Sequence, residues 1–203
     1  MTDVKAAVFD VGRVIVQWDL RHLFAKLIDD PAQVEWFVSN VVTQEWHFEH
    51  DAGRALADMV PERKALFPQY ADLIDAYATR FLETIPGPVP GTLQLIEKLS
   101  ARGVPLFGIT NFGAEFWAQF RPTMPIFDSF SDIVVSGTEK MVKPDRAIFD
   151  LAAERFGQAP ADMLFIDDNA DNIASADALG WQVHLFTDAD GLAEDLRRRG
   201  LIA

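Results

Sequence analysis

Beyond Gly87 the chain alternates short unbroken apolar runs with longer segments whose apolar residues return every three or four positions. The runs in VPLFGI, SDIVVSG, DMLFI and WQVHLF are short and bounded by Gly, Pro, Ser or Asp, so they predict buried strands. The segments GTLQLIEKLSARG, FGAEFWAQF, PDRAIFDLAAERFG, DNIASADALG and DADGLAEDLRRRG carry the helical period. Their punctuation agrees: Gly91 and Gly103 bracket the first, Asp145 is placed to cap the third and Gly157 to stop it. The last helix ends in basic residues, which its dipole favours. VKAAVF at the N-terminus supplies one more buried strand. Strands alternating with helices in this way predict an α/β fold, a parallel sheet covered on both faces.

From about residue 20 to residue 83 this rhythm breaks. RHLFAKLIDD, AQVEWFVSNVV, ALADMVPERKALF and YADLIDAYATRFLE are helical in period, with no β-run between them. The pattern predicts a helical insertion, closed by TIPGPVPG, whose three prolines and two glycines make a stiff linker or hinge.

At 203 residues and 49% hydrophobic, the chain is long enough for one sizeable core plus an inserted subdomain. Its formal net charge of −13 argues against a nucleic acid or an anionic membrane surface as partner. The absence of Cys removes disulfides, thiolate metal sites and thiol nucleophiles. The N-terminal apolar run is too short to span a membrane and carries Asp3, Lys5 and Asp10, so a cytoplasmic protein is expected. Oligomeric state leaves no sequence signal.

In an open parallel sheet, ligands bind beyond the carboxyl ends of the strands. The first strand ends in Asp10, with Gly12 close behind; LFGI ends in Thr110-Asn111; IVVSG runs on to Lys143-Pro144-Asp145; MLFI ends in Asp167-Asp168, with Asn172 four residues on. Alone, each set can serve as an ordinary turn, a cap or a solvated lysine. The acidic pair fits such a role least well, because two adjacent carboxylates repel unless a cation sits with them. Together, an attacking carboxylate, a hydroxyl-amide turn, a lysine and a carboxylate pair match phosphoryl transfer through an aspartyl intermediate.

In this order these residues resemble the haloacid dehalogenase-like hydrolase superfamily. FDVGRVI is similar to its first motif, ITN to its second, KPD to its third and FIDDNADN to its fourth, and the helical insertion resembles its C1-type cap. The resemblance implies a Rossmann-like three-layer core from residues 1–17 and 86–203 with the first strand central, and a helical cap over 18–85. It further implies that Asp10 is nucleophile and Mg2+ ligand, that Gly12 serves the metal through its carbonyl, and that Asp168 ligates it, with Asp167 and Asn172 as direct or outer partners. Thr110 and the backbone of Asn111 would hold the phosphoryl group, and Lys143 would neutralise charge.

One departure stands out. Phosphatases of this superfamily usually carry a second aspartate two residues after the nucleophile, as proton donor and later base. Here that position is Gly12, as in FDxGxVI proteins that include bacterial α-glucose-1-phosphate phosphatases. Replacement groups lie in Asp19 and in QEWHFEHDAGR, which gathers Glu45, His47, His50, Asp51 and Arg54, although packing and surface roles are the commoner fate of such residues. Trp18, Phe112 and Trp117 are candidates for a pocket wall or for the core.

The leading expectation is an Mg2+-dependent phosphatase acting on a small phosphorylated metabolite, with a sugar phosphate as one candidate. A 2-haloacid dehalogenase would use the same Asp10 without a metal; the carboxylate pair speaks against it, and Gly12 for it. A protein that binds a phosphometabolite without turnover is the third reading. A receiver domain is disfavoured, because its acidic pair comes first in the chain.

Overall fold

The apolar runs fold into five strands: β1 (Ala6–Phe9), β2 (Leu106–Thr110), β3 (Asp132–Val135), β4 (Met163–Asp167) and β5 (Gln182–Leu185). They form one parallel sheet in the order β3-β2-β1-β4-β5, which makes the first strand central. The computed structural model describes residues 4–203, so Asp3 and the first residues of the expected core segment lie outside the described residues.

Side chains of a strand alternate between faces, and here both faces are covered, which is why the runs are apolar throughout. Ala7, Phe9, Leu106, Leu164 and Ile166 pack into one apolar cluster, and Ala6, Val8, Phe107, Ile109, Met163 and Phe165 into the other. Burial of Phe9, Phe165 and their neighbours contributes about 1.5–3 kcal/mol per large side chain, which fixes the strand ends in place.

Helices in the chain's second half are α6 (Thr92–Ala101), α7 (Ala114–Phe120), α8 (Ser136–Glu139), α9 (Arg146–Phe156), α10 (Ala170–Ala178) and α11 (Ala189–Arg198). Gly157 takes the left-handed conformation expected of a C-terminal stop, with φ 62°. Asp145 occupies the N-cap position of α9, but its side chain makes no capping hydrogen bond there, so its expected bond is absent. The strand predicted from SDIVVSG ends at Val135, where Ser136 already opens α8.

Between Leu20 and Thr84 the described elements are all helical: α1 (Arg21–Phe24), α2 (Pro31–Asn40), α3 (Gln44–Asp51), α4 (Leu56–Leu66), α5 (Ala71–Thr79) and short 3-10 turns. RHLFAKLIDD forms only one helical turn before Ala25, shorter than its period suggests. The segment shares the sheet's core: Phe37, Tyr77 and Phe81 belong to the cluster that holds Phe9 and Phe116. Phe81 and Phe116 stack with centroids 3.8 Å apart.

The proline-rich linker is held rather than loose. Val89 N–H donates to Ile15 O at 2.9 Å and Gln17 N–H to Gly87 O at 2.9 Å, so the two chain crossings into the helical segment are stitched side by side. None of the described helices is long and apolar enough to cross a membrane.

Candidate active site

Parallel register carries the chemistry to one rim. Phe9 pairs with Ile166, so the next step along both strands sets Asp10 beside Asp167. Asp10, Asp167 and Asp168 present carboxylate oxygens within 4.8 Å of one another, a group able to hold a metal ion.

Lys143 reaches into this cluster from the loop after α8. It is 2% exposed, and its Nζ lies 2.8 Å from Asp10 Oδ1 and donates to Asp167 Oδ2 at 2.7 Å and to Ile109 O at 2.9 Å. Burial pulls the lysine's pKa down, but the facing Asp10 and Asp167 outweigh it, and the net shift is upward. The ammonium is therefore charged at neutral pH.

Asn111 accounts for the lysine's position. Its Nδ2 donates to Lys143 O and its Oδ1 accepts from Lys143 N–H, both at 2.9 Å. The side chain of Asn111 is thus a clamp on the lysine backbone, a role that its place in the sequence does not announce.

Burial first, then Asp167 and Asp168, raise the Asp10 carboxyl against the opposing Lys143, to a net value of about 7. Asp168 is likewise raised, first by burial and then by Asp167, with Arg13 and Lys143 opposing. Three carboxyl groups facing one ammonium repel one another, so Asp10 and Asp168 hold their protons more tightly, and a divalent cation would let them ionise. Hard carboxylate oxygens are the donor set such a cation prefers.

Asp167 is the best satisfied of the three. Its oxygens accept from Lys143, from Asn169 N–H at 2.8 Å and from Asn172 Nδ2 at 3.1 and 3.0 Å. The helix that follows is capped by Asn169, whose side chain accepts from Asp171 N–H and Asn172 N–H, so the acidic pair is not there as a cap. On Asp10 both contacts fall on Oδ1, the one from Lys143 Nζ at 2.8 Å and the one from Val11 N–H at 2.7 Å; among the described residues this leaves Oδ2 free.

A cavity of about 170 Å³ opens above the cluster. Asp10, Gly12, Asn111, Lys143, Asp168 and Asn172 line it, as do the apolar Val16, Trp18, Phe81, Ile85 and Phe112. Thr110 and Asp167 lie behind the lining; Thr110 is buried, and its Oγ1 has no hydrogen-bond partner among the described residues. Trp117 also stays out of the cavity wall.

Gly12 has the residue type of a turn, but its φ lies outside the left-handed region and a Cβ built there would meet nothing within 4 Å. The left-handed residue of this turn is Arg13, at φ 61°. Arg13 lines the cavity too, with its guanidinium 5.2 Å from the centroid of the Trp18 ring; nothing but its place after Gly12 marks it in the sequence.

Of the candidates in the loop and helical segment, two reach the cavity: His47 and Asp51, both on α3. Asp19 binds Arg21, Arg54 binds Glu49 and Glu62, and Glu45 sits on the first turn of α3 away from the cavity. His50 shares its Nδ1 with Arg54 O at 2.8 Å.

Known proteins resemble this chain in sequence and in fold. A sesquiterpene phosphatase of Aspergillus oryzae is 25% identical over 97% of this chain and 97% of its own. A HAD family enzyme of Bacteroides thetaiotaomicron, solved in complex with magnesium and inorganic phosphate, superposes with a TM-score of 0.66 at 19% identity, covering 91% of this chain and 95% of that one. L-2-haloacid dehalogenase of Xanthobacter autotrophicus, solved with chloropropionic acid covalently bound, gives a TM-score of 0.65 at 19% identity, covering 98% of this chain and 84% of that one. At such identities the two structures establish the fold. The haloacid dehalogenase-like hydrolase family matches residues 4–180, and the chain belongs to that family.

Proposed function

We propose that the protein is an Mg2+-dependent phosphatase that cleaves a small phosphate monoester through an aspartyl-phosphate intermediate on Asp10. The observation that carries this reading is the group of three carboxylates, two buried and one half-buried, opposed by one lysine, which asks for a divalent cation. A halide displacement has no use for that cation. Gly12 favours the dehalogenase reading, since that chemistry also dispenses with the second aspartate.

Asp10, Asp168 and the Gly12 carbonyl would hold the ion, with Asp167 and Asn172 bracing them. When bound, Mg2+ supplies positive charge against the phosphate oxygens. Oδ2 of Asp10 attacks phosphorus while the Lys143 ammonium offsets the charge of the phosphoryl group and the Asn111 backbone orients it; Thr110 Oγ1, buried behind the lining, would have to turn toward the cavity to join them. The alcohol leaves, and water then attacks the phosphorus of the acyl phosphate, returning Asp10 and releasing orthophosphate. The helical segment 18–85 serves as the cap over this cavity, and residues 1–17 and 86–203 as the catalytic core.

The apolar wall of Val16, Trp18, Phe81, Ile85 and Phe112 supports an ester whose organic part is at least partly apolar, as does the likeness to a sesquiterpene phosphatase. A sugar phosphate belongs in the same screen. Replacing Asp10 by Asn should abolish Mg2+-dependent phosphate release from 4-nitrophenyl phosphate. Full activity in that variant, or halide release from 2-chloropropionate that persists in EDTA, would overturn the reading.

A further inference from the structure

A phosphatase of this design needs a group to protonate the departing oxygen, and Gly12 has no side chain to do it. Among the other residues that line the cavity, Asp51 is the carboxyl group not committed to the metal cluster. It stands at the last position of α3, is 6% exposed, and its Oδ1 is buried without a hydrogen-bond partner among the described residues. An unpartnered carboxyl oxygen at a cavity wall is costly unless a ligand or proton satisfies it.

We propose that Asp51 is the acid and base that Gly12 lacks. This inference rests on the phosphatase reading. As the P–O bond to the leaving group breaks, the Asp51 carboxyl gives its proton to that oxygen, releasing the alcohol and leaving a carboxylate. The carboxylate then takes a proton from the water that attacks phosphorus; the bond between phosphorus and Asp10 breaks, orthophosphate departs, and Asp51 is again the acid.

Its surroundings suit the role. His47, one turn earlier on α3, has Nε2 3.4 Å from Asp51 Oδ2, and its Nδ1 shares a hydrogen bond with Tyr77 Oη of α5 at 2.7 Å. Burial, and then His50, press the His47 pKa down to about 3, so the imidazole is neutral and offers no cation to ionise Asp51. The other groups facing Asp51 are the Gly113 amide, which favours its ionised form, Asp10, which disfavours it, and Lys143, which favours it. Burial dominates and lifts Asp51 to about 8, so below that pH the carboxyl holds the proton it must donate. The backbone is held as well: Ser136 Oγ donates to Asp51 O at 2.6 Å and accepts from Phe112 N–H at 2.9 Å.

The test compares wild type with Asp51→Asn in Mg2+, using n-butyl phosphate, whose alkoxide must be protonated, and 2,4-dinitrophenyl phosphate, whose phenolate needs no proton. The variant should lose about 100-fold or more of its n-butyl phosphate turnover, as expected for a general acid. Its first-turnover burst of dinitrophenolate should stay within about threefold of wild type, which also certifies the fold and the Asp10 step. In wild type, n-butyl phosphate turnover should fall as pH rises above about 8, and the burst should not.

Turnover of n-butyl phosphate within about threefold of wild type overturns the proposal, and so does a burst that falls in parallel with it, since that marks a structural role. Should the variant not fold, a series of aryl phosphates on wild type decides. A dependence on leaving-group basicity that steepens above the pKa of Asp51 supports the acid, and one that is equally steep on both sides refutes it. If wild type releases phosphate from no ester in Mg2+, the phosphatase reading itself falls, and this inference with it.

Discussion

Gly12 and Arg13 exchange the roles that their residue types suggest. The glycine needs no left-handed φ and borders open space, whereas the arginine beside it holds φ 61°. A non-glycine residue in that region is strained by about 1–3 kcal/mol, and such strain gathers at functional sites. Because a Cβ at Gly12 meets nothing within 4 Å, Gly12→Asp should meet no steric barrier to folding, and the stability it loses to a fourth carboxylate beside Asp10 and Asp168 should shrink as Mg2+ is added. In the Asp51→Asn background it should restore n-butyl phosphate turnover by at least about tenfold, because a carboxyl at that position also borders the cavity. Urea unfolding and steady-state kinetics of the single and double variants check both statements. Lys143 needs no such inversion: a buried lysine is costly unless paired, and its two carboxylates are the pairing.

At the scale of elements, the decisive contact joins α3 to the loop after β2. A Cβ on Gly113 would overlap the His50 ring, and one on Gly137 would meet Ala114 N, Phe112 O and Gly113 Cα. Glycine is required there by close approach, and the approach sets where Asp51 sits. Gly113→Ala should therefore cost about 1–3 kcal/mol in urea unfolding, as overpacking does, and should depress n-butyl phosphate turnover more than the dinitrophenolate burst. Equal losses on both would show that α3 does not aim Asp51. Strands and helices of the second half were legible because β4 and α10 carry clean periods and stops. Asp10 and Asp167-Asp168 stood out because a charge at the end of a buried apolar strand is costly unless a partner or a ligand holds it there, whereas Lys143 lies in the loop after α8 and stood out only through its place in KPD. Asp51 was one of several candidates in QEWHFEHDAGR, since sequence spacing does not say which face of α3 docks on Gly113. Asn111 showed its amide in the sequence, but not that both ends of it would be spent on the backbone of Lys143, a residue 32 positions away.

Across the whole molecule, net charge of −13 and a buried carboxylate cluster make folding, metal and protons one linked problem. The carboxyl of Asp10 has its ordinary value near 3.8 when the chain is unfolded and about 7 when it is folded without metal. A raised carboxyl pKa means that the folded protein binds the proton more tightly, so this contribution to stability is full below about pH 4 and is lost as pH rises through 7. Asp51 adds a loss of the same sign, complete above about 8. His47 acts oppositely: depressed from 6.5 to about 3, it costs stability as pH falls through that window, so the two carboxyl groups outweigh it between pH 4 and 6.5 and act alone above. A cation held by Asp10 competes with its proton. Apparent Mg2+ affinity, read as the rise in melting temperature over a magnesium series, should therefore climb by up to about tenfold per pH unit from 5 to 7 and flatten above, where Asp10 is already ionised. In Asp10→Asn the climb should be shallower, because no proton leaves that position when metal binds and only the proton on Asp168 still competes. If affinity were independent of pH in wild type, or climbed as steeply in the variant, Asp10 would not be among the ligands.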